Sequence, residues 1–395
     1  MTDIKELETI IRRAVSEEVA EKWQEAREKS LERTNTDVAV SGQEVKPGSD
    51  KEAKPEKGIN FARAVRFLWK ANGNPHLASE MATNAGYEYV GKALGETTLA
   101  GGGALLPEEF SNEIIELLGT NTVVRRAGCS TVPMNTGSLT MPFVATGSTA
   151  SYTAESANIT KSEPTFGQLQ LHDHKLAALI PTSNDLLRNG GARVDSIIRN
   201  DIVRAMSRKE DVTFLRSLGV SSEPKGMRGW VDSGNSFAAA AVSVANVTAD
   251  LGKAVFLLED AEVDTSSASW FLSPRSKKYL MTARDGNNNL VWASEMAQGT
   301  LMGFPWYMTA QIANNYGSGS DESEVYFAAM DVLTIAENEQ IMVEVLPNAA
   351  YHDGSAVVSG ASRDETVIRS IAMHDFGARQ RGKEIAYISE VKWGA

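Results

Sequence analysis

The residues from Gly86 to Ala93 come close to a nucleotide-binding motif. Gly86, Gly91 and Lys92 have the spacing of a loop whose backbone amides and lysine hold phosphate groups. The next position of such a loop is a serine or threonine that binds magnesium, and here it is Ala93. No buried strand precedes the glycines, as a phosphate-binding loop requires. We therefore predict that the chain has no nucleotide site and no cofactor.

Two histidines, His172 and His174, are the best candidates for metal ligands. One residue separates them, so on a strand they point to the same side and could bind one metal ion. Asp173 would face the other side, and no third ligand is evident in the sequence. Solvated histidines on a ribbon are the favoured interpretation, and we predict no metal site.

The sequence pattern also gives no nucleophilic active site. The chain has five histidines and one cysteine, Cys129, so a cysteine–histidine pair would depend on a chance arrangement. The Gly-x-Ser-x-Gly turn of serine hydrolases does not occur. We predict no catalytic residue and interpret the chain as a protein that is not an enzyme.

Composition limits the class of protein. The 395 residues are 42% hydrophobic, enough for two or more compact domains, and no apolar run approaches the about 20 residues of a membrane helix. The N-terminus is charged from Asp3 and has no signal-peptide core, and the single cysteine fits a reducing cytoplasm. The net charge of −12 argues against nucleic-acid binding as the main function. It suits the wall of a DNA container, which should repel phosphates, and simple solubility explains it as well.

Helical periodicity dominates the first hundred residues. Residues 4–33 carry apolar side chains at three- and four-residue steps, as in an amphipathic helix that self-associates or docks on another surface. Residues 34–60 are rich in charge, proline and glycine and are predicted to be a linker. Residues 61–94 return to a helical pattern, which ends before the glycines at 101–103.

The rest of the chain mixes helices and strands. Residues 194–218 have the broad apolar face of a long helix. Ser273-Pro274 is predicted to begin another helix, and Asn246 or Thr248 to cap a third. Alternate residues from Ile385 to Trp393 are predicted to share one face of a strand. Three apolar runs are further predicted strands: Trp270–Leu272, Val325–Phe327 and Ile341–Leu346.

The stretch from residue 137 to residue 182 is predicted to be a long ribbon. Apolar and polar residues alternate along Gly137–Phe143 and Leu169–Ile180, and the residues between them are rich in glycine, serine and threonine. Such a hairpin has little core of its own, so it must rest on another surface. Another copy of the same chain is the favoured partner.

Five segments of the chain follow one another in a recognisable order. They are the ribbon, Arg193-Val-Asp-Ser-Ile-Ile-Arg199, Glu223-Pro-Lys-Gly-Met-Arg-Gly229, Leu301-Met-Gly-Phe-Pro-Trp306 and Glu365-Thr-Val-Ile-Arg-Ser-Ile-Ala-Met-His-Asp-Phe376. In this order they resemble the major capsid protein family of tailed bacteriophages, over roughly residues 100–395. The resemblance implies an α+β phage major capsid fold of the Hong-Kong-ninety-seven type, which encapsulins share.

The resemblance also implies a division of the chain. The expected parts are a helical N-terminal scaffolding-like segment, an N-terminal arm, an extended β-hairpin loop, a peripheral domain with a long spine helix, and an axial α/β domain. Their expected bounds are 1–100 with a linker at 34–60, 101–136, 137–182, 183–234 with 363–395, and 235–362, respectively. In many family members a phage protease removes the scaffolding segment. Here a cut would be expected between Leu94 and Ala104.

The implied function is assembly of a virus head. The resemblance implies hexamers and pentamers that close into an icosahedral shell around double-stranded DNA, without sequence-specific binding and without a membrane. It implies a virion protein that assembles in the host bacterial cytoplasm with a portal, and in some members with a maturation protease and decoration proteins. Two alternatives stay open. An encapsulin-type nanocompartment shell is disfavoured by the helical N-terminal segment, and a soluble α/β enzyme by the lack of a convincing site.

Several residues are candidates for contacts and movements in such a shell. Phe143, Tyr152 and Phe166 are candidate inter-subunit anchors, and each could equally pack within its own chain. Glu155 matches the position in the family's loop whose carboxylate pairs with a neighbour's arginine. Three glycines at the ends of the ribbon are candidate hinges: Gly137, Gly190 and Gly191.

Some family members join their subunits covalently. An isopeptide bond forms between a loop lysine and a neighbour's asparagine, with a buried glutamate as base. Lys161, Asn348 and Glu365 are residues of the required types here, and they do not align clearly with the family's three. Ordinary surface residues are the favoured interpretation.

Overall fold

A computed structural model of the protein describes residues 58–95, 99–100, 103–104, 108–150, 152–153, 158, 161, 163–189, 192–338, 341–347 and 349–395. The chain divides into two compact units, Met1–Lys54 and Pro55–Ala395. The described residues belong to the second unit. The predicted helix at 4–33 and most of the predicted linker at 34–60 lie outside them.

Helices and strands alternate along the second unit. The helices are α1 (Ile59–Lys70), α2 (Pro75–Asn84), α3 (Glu88–Gly95), α4 (Glu108–Asn121), α5 (Val123–Arg126), α6 (Asn184–Asn189), α7 (Ala192–Arg216), α8 (Met227–Trp230), α9 (Val244–Asp260), α10 (Pro274–Thr282), α11 (Ala293–Ala297) and α12 (Gly360–Arg363). Among the described residues, no helix is long and apolar enough to cross a membrane.

Residues 61–94, which have a helical pattern in the sequence, form three helices. Asn72 and Gly73 have φ angles of 49° and 82°, and Gly86 has a φ angle of 88°. A right-handed helix cannot continue through residues in this left-handed region. Asn74 then begins α2 by accepting hydrogen bonds from the amides of His76 and Leu77. The prediction of helical structure at 61–94 is therefore confirmed, and the structure divides that stretch into three helices.

The strands are β1 (Leu99–Ala100), β2 (Gly103–Ala104), β3 (Ser130–Pro133), β4 (Ser138–Thr146), β5 (Thr165–His172), β6 (His174–Ser183), β7 (Ser236–Ala238), β8 (Ala268–Leu272), β9 (Thr300–Leu301), β10 (Phe304–Met308), β11 (Ser323–Ala329), β12 (Leu333–Glu337), β13 (Met342–Pro347), β14 (Ala350–His352), β15 (Val357–Ser359), β16 (Glu365–Ala378) and β17 (Ile385–Val391). Most of them belong to two sheets, of five and six strands.

The five-stranded sheet is built around β16. This 14-residue strand pairs with β13 and then β12 on one edge, and antiparallel with β6 on the other; β3 pairs with β12. The 25-residue helix α7, predicted at 194–218, packs its apolar face into the same core as Val343 and Ile368 of this sheet. The prediction of a long helix is confirmed. Its apolar face is buried in this core at Val194, Ile198, Ile202 and Met206.

The six-stranded sheet has the order β7–β17–β11–β8–β10–β9. Strand β8 is buried at every position, and it pairs parallel with β10 and antiparallel with β11. Helix α10 begins at Pro274 with Ser273 accepting a hydrogen bond from the amide of Ser276, as predicted. The predicted cap of α9 is wrong. Its cap is Ser243, because the Ser243 hydroxyl accepts from the amide of Asn246.

Strand β17 differs from its prediction in two ways. It joins the six-stranded sheet beside β11, whereas the expected domain division groups residues 363–395 with the spine helix. The alternation also breaks at Glu390, whose φ is 56°, where the pairing with β11 shifts register. Ile385 and Tyr387 therefore pack in one core cluster, while Val391 and Trp393 pack in another. A bulge of this kind reverses the faces that simple alternation assigns.

Candidate assembly surface

Strands β4 and β5 form a hairpin that, among the described strands, pairs only with itself. Val144 and Phe166 lie directly opposite each other on this hairpin, and their side chains are 58% and 73% exposed. Tyr152, beyond the end of β4, is fully exposed. A two-stranded ribbon with an exposed apolar pair is marginal in water, so this outer part of the hairpin requires a partner surface.

The base of the hairpin packs on its own chain. Leu169 and Leu171 are buried beneath it with Met134 and Ala336. Phe143 crosses Gly167 so closely that a Cβ at Gly167 would stand 2.4 Å from the Phe143 ring. Of the predicted anchors, Phe143 is thus held within its chain, while Tyr152 and Phe166 face outward. Glu155 lies outside the described residues.

The predicted ribbon at 137–182 is divided at Asp173. The backbone amide of Asp173 donates to the carbonyl of Gly137, and the chain then turns from β5 into β6. Strand β6 pairs along its length with β16, from Ser183 opposite Glu365 to His174 opposite His374. Among the described strands of the predicted ribbon, β4 and β5 therefore form the separate hairpin, and β6, which holds the last residues of that ribbon, belongs to the body.

The two histidines lie on consecutive strands rather than on one strand. His172 ends β5, and its amide donates to the Asp375 carboxylate at 2.9 Å. His174 begins β6, and its Nδ1 lies 2.9 Å from the carbonyl oxygen of Ser222. The described residues contain no group of three acidic, histidine or cysteine side chains placed to hold a metal ion.

One predicted hinge has a conformation that favours glycine. Gly137 has a φ angle of 75°, and a Cβ there would lie 3.4 Å from the Asp173 carboxylate. It marks the point where the hairpin leaves the body. Gly190 and Gly191 lie outside the described residues, between the end of α6 and the start of α7. All three remain predicted hinges.

Two of the three predicted cross-link residues, Lys161 and Glu365, lie among the described residues, and each has a partner within its own chain. Lys161 is largely exposed and forms an ion pair with Glu163. Glu365, at the start of β16, accepts a hydrogen bond from the Tyr351 hydroxyl at 2.6 Å, and Asn348 lies outside the described residues. The cross-link stays a prediction. SDS electrophoresis of mature particles tests it, since a ladder above the 42.6 kDa monomer would support the bond and a single band would remove it.

The glycines that resemble a phosphate loop have a packing role. Gly86 provides the turn between α2 and α3 through its positive φ. Gly91 faces α2, where a Cβ would stand 3.0 Å from the carbonyl oxygen of Ser79. The hydroxyl of Ser79 donates to the carbonyl of Gly91 at 2.6 Å, and Lys92 is exposed. The spacing thus serves the close approach of two helices.

The comparisons agree with this architecture. The model of the phage capsid family matches residues 102–385. The chain belongs to this family. It is 32% identical to the major capsid protein of Klebsiella oxytoca phage phiKO2 over 333 residues, which span 83% of this chain and 78% of that protein.

Solved structures show the same fold. A chain of Mycobacterium phage Cain superposes with a TM-score of 0.52 at 19% identity, over 68% of this chain and 89% of that one. The capsid of the native GTA particle gives a TM-score of 0.52 at 17% identity, over 67% and 88%. The protein is therefore a phage major capsid protein with an α+β capsid fold, and it is a structural component of the virion. Family membership supports a structural rather than a catalytic role.

A buried cluster of charged side chains connects helix α5, helix α7 and strand β12. Arg125 of α5 pairs with Glu210 of α7 at 2.5 Å and with Glu337 of β12 at 2.6 Å. Burial alone would lower the pKa of Arg125, but the two carboxylates outweigh it and raise that pKa. His374 lies beside this cluster, where burial and the Arg125 charge lower its pKa to about 3. The cluster therefore holds a fixed charge and a neutral histidine.

A second cluster joins α7 to the six-stranded sheet. The buried carboxylate of Glu324 lies 3.2 Å from Arg216 and 3.3 Å from Arg228. It also accepts hydrogen bonds from the hydroxyls of Tyr326 and Tyr387, both at 2.8 Å.

Sequence analysis missed both clusters. Their partners are up to about two hundred residues apart in the chain, and only the adjacent pairs Arg125-Arg126 and Glu210-Asp211 hint at the first.

We expect Asp211→Asn to stabilise the subunit at pH 8 and to have little effect at pH 4. Burial raises the pKa of Asp211 from 3.8 to about 7, although its carboxylate accepts from the Val123 amide. Between these two values the folded chain holds a proton that the unfolded chain has lost, so stability falls as the pH rises through this window. By linkage the ionised carboxylate costs up to about 4 kcal/mol at pH 8. The carboxylate accepts from the backbone amides of Val123 and Val124, and asparagine keeps an acceptor for one of them, which reduces the expected gain.

Urea unfolding of dissociated subunits at both pH values measures this effect. A gain on the order of 1–3 kcal/mol at pH 8 with almost none at pH 4 is expected. The difference between variant and wild type isolates Asp211 from the other buried groups, Asp195, His374 and Asp375. An equal change at the two pH values would contradict the assignment.

Proposed function

We propose that the subunit forms hexamers and pentamers that close into an icosahedral shell around double-stranded DNA. The observation that carries this proposal is the projecting β4–β5 hairpin, whose opposed Val144 and Phe166 are exposed although they are apolar. In a closed shell every subunit would place this pair on its neighbour. Because symmetry repeats the contact many times, an individually modest interface gives a stable whole.

We further propose that Tyr152 and Phe166 are the anchors of this contact and that Gly137 is the hinge at its base. Tyr152 is fully exposed, and aromatic side chains dominate the free energy of many interfaces. Glu155 is proposed to pair with a neighbour's arginine. Gly190 and Gly191 are proposed to flex at the start of the spine helix α7 during the change from a rounder precursor to a larger shell.

The proposed domain division follows the capsid fold with three changes: β6 leaves the extended loop, β13 moves to the peripheral domain, and β17 moves to the axial domain. The arm comprises residues 101–136, and the extended loop is limited to about 137–173, since β6 pairs with β16. The peripheral domain contains α7 with β6, β13 and β16, and the axial domain contains the six-stranded sheet with β17. This assigns the last segment of the chain to the axial domain.

The acidic composition supports a DNA container. A net charge of −12 gives walls that repel phosphates, so packed DNA is not held tightly. We propose assembly in the host bacterial cytoplasm, with a portal and, where the phage has them, a maturation protease and decoration proteins. The similar protein of phage phiKO2 is a major capsid protein, which favours a phage head over an encapsulin-type compartment.

Electron microscopy of particles from infected cells, with nuclease digestion before DNA extraction, tests the proposal. We expect closed icosahedral shells that protect double-stranded DNA from the nuclease. Closed shells with protein cargo and no DNA would favour the encapsulin-type alternative. A subunit that stays monomeric by light scattering at high concentration would contradict assembly itself.

A further inference from the structure

Helices α1 to α3 share a core with the body of the subunit. Eight of the twelve residues of α1 are buried, among them Phe61, Val65 and Leu68, and α3 adds Val90 and Leu94. Their partners come from the arm helix α4, the spine helix α7 and the five-stranded sheet. Six of these partners are Ile114, Val194, Ile198, Ile202, Val343 and Ile368. Removing the helices would expose these apolar residues to water, which is unfavourable in proportion to the area exposed.

Polar contacts fix α1 in one position on this core. Arg66 lies 3.3 Å from the carboxylate of Asp195, which is fully buried on α7. One turn further along α1, the indole of Trp69 donates to the Thr366 hydroxyl at 3.0 Å, and that hydroxyl donates to Asn184 at 2.6 Å. A helix that only covered the apolar surface by chance would lack such directed partners. The ion pair links α1 to the spine helix, and the indole hydrogen bond links it to β16.

The close packing begins at Gly58. Its φ angle is 75°, and a Cβ there would lie 2.7 Å from Leu117 and 2.8 Å from Arg199. Its amide donates to the carboxylate of Glu113 at 2.8 Å. A protease binds its substrate as an exposed, adaptable segment. The backbone at Gly58 is held too closely by α4 and α7 to be such a segment.

We propose that residues 58–95 are a permanent part of the shell subunit and that any segment released during maturation ends before Gly58. This replaces the expectation that residues 1–100 act as one removable scaffolding segment. The proposal uses the proposed function only to name the maturation step. A cut between Leu94 and Ala104 would leave α1 to α3 bound to the body without a covalent link.

A nicked full-length chain tests this retention. A specific protease sequence is inserted between Gly101 and Gly102, the purified protein is cut in native buffer, and the fragments are separated by gel filtration. We expect the N-terminal fragment to elute with the body. Separate elution of the two wild-type fragments would overturn the proposal, whereas failure to form closed shells would not change this result and would count only against the proposed function.

Two matched variants of the insertion chain identify the contact. Leu68→Asp places a charge at a side chain that is 1% exposed, and Leu77→Asp places it at one that is 41% exposed. We expect Leu68→Asp to release the fragment after cutting and to lower the melting temperature of the uncut chain by roughly 10 °C. Leu77→Asp should retain the fragment. Retention by both variants would contradict the assignment of the contact to α1.

Mass spectrometry of subunits from mature particles gives an independent readout that does not depend on any variant. We expect residues 58–95 to be present in every subunit, in one chain or as a bound fragment. Mature shells whose subunits begin after Leu94, with no companion fragment, would overturn the proposal.

Discussion

Phe166→Asp is expected to leave folded subunits that no longer assemble into shells. The wild-type side chain is 73% exposed on the subunit and is opposed by Val144, which is 58% exposed, so among the described residues this pair offers an uncovered apolar surface. An aspartate at this position would bury an unpaired charge against the neighbour. Loss of a central aromatic anchor weakens an interface by about 2–4 kcal/mol, roughly 30-fold or more at each contact.

The effect on assembly exceeds the effect on one contact, since every subunit of the shell repeats it. Sucrose-gradient sedimentation and electron microscopy measure shell formation, and circular dichroism of the soluble fraction checks that the subunit is folded. Gln170→Asp is the matched control. It adds the same charge at an exposed polar position of β5, and we expect it to assemble. Normal shells from Phe166→Asp would contradict the proposal that Phe166 anchors the contact between subunits. Loss of shells from both variants would contradict it as well.

The second large effect is expected from Arg125→Met. The substitution removes the cation that pairs with Glu210 and Glu337, both of which are nearly buried. Two carboxylates would then share a water-poor site without a counter-charge. Breaking a buried ion pair from one side costs about 3–5 kcal/mol, because the remaining charge is uncompensated. Since this is a large share of the about 5–15 kcal/mol that stabilises a typical domain, we expect little soluble subunit at 37 °C.

Urea unfolding of dissociated subunits measures this loss, because subunit contacts in a shell add to apparent stability. Lys209→Met is the matched control; Lys209 lies on α7, the helix that carries Glu210. Lys209 forms an exposed ion pair with Glu223 at 2.7 Å, and removing such a pair changes stability by about 1 kcal/mol or less. If both variants lowered the free energy of unfolding by similar amounts, the ion pairs of Arg125 would not be stabilising the subunit as proposed.

Local patterns correctly predicted several elements. The apolar period of α7 appears because one face of a long helix must be buried, and the start of α10 appears because a serine followed by proline caps a helix by itself. The family and its α+β fold also follow from motifs in order. The cap of α9 was missed although it is local, since Ser243, Asn246 and Thr248 are all residues of suitable type.

Other features depend on partners that local patterns do not name. β5 and β6 have the same alternation, yet β5 projects with β4, and β6 pairs with a strand about 190 residues further along. The shift of faces at Glu390 follows from one extra residue opposite β11. The exposure of Phe166 and the packing of half-buried Phe143 on its own chain were equally plausible from sequence, since both are aromatic residues on one ribbon.

The sequence by itself determined that this chain has a capsid fold, a long spine helix and a hairpin with little core, because period, capping and motif order are local properties. Only the tertiary structure decided where the hairpin leaves the body, which charges are buried together and that α1 to α3 belong to the core. Those features arise from contacts between segments far apart in the chain. The free energy of each contact depends on how deeply its side chains are buried, and the sequence of one segment does not specify that burial.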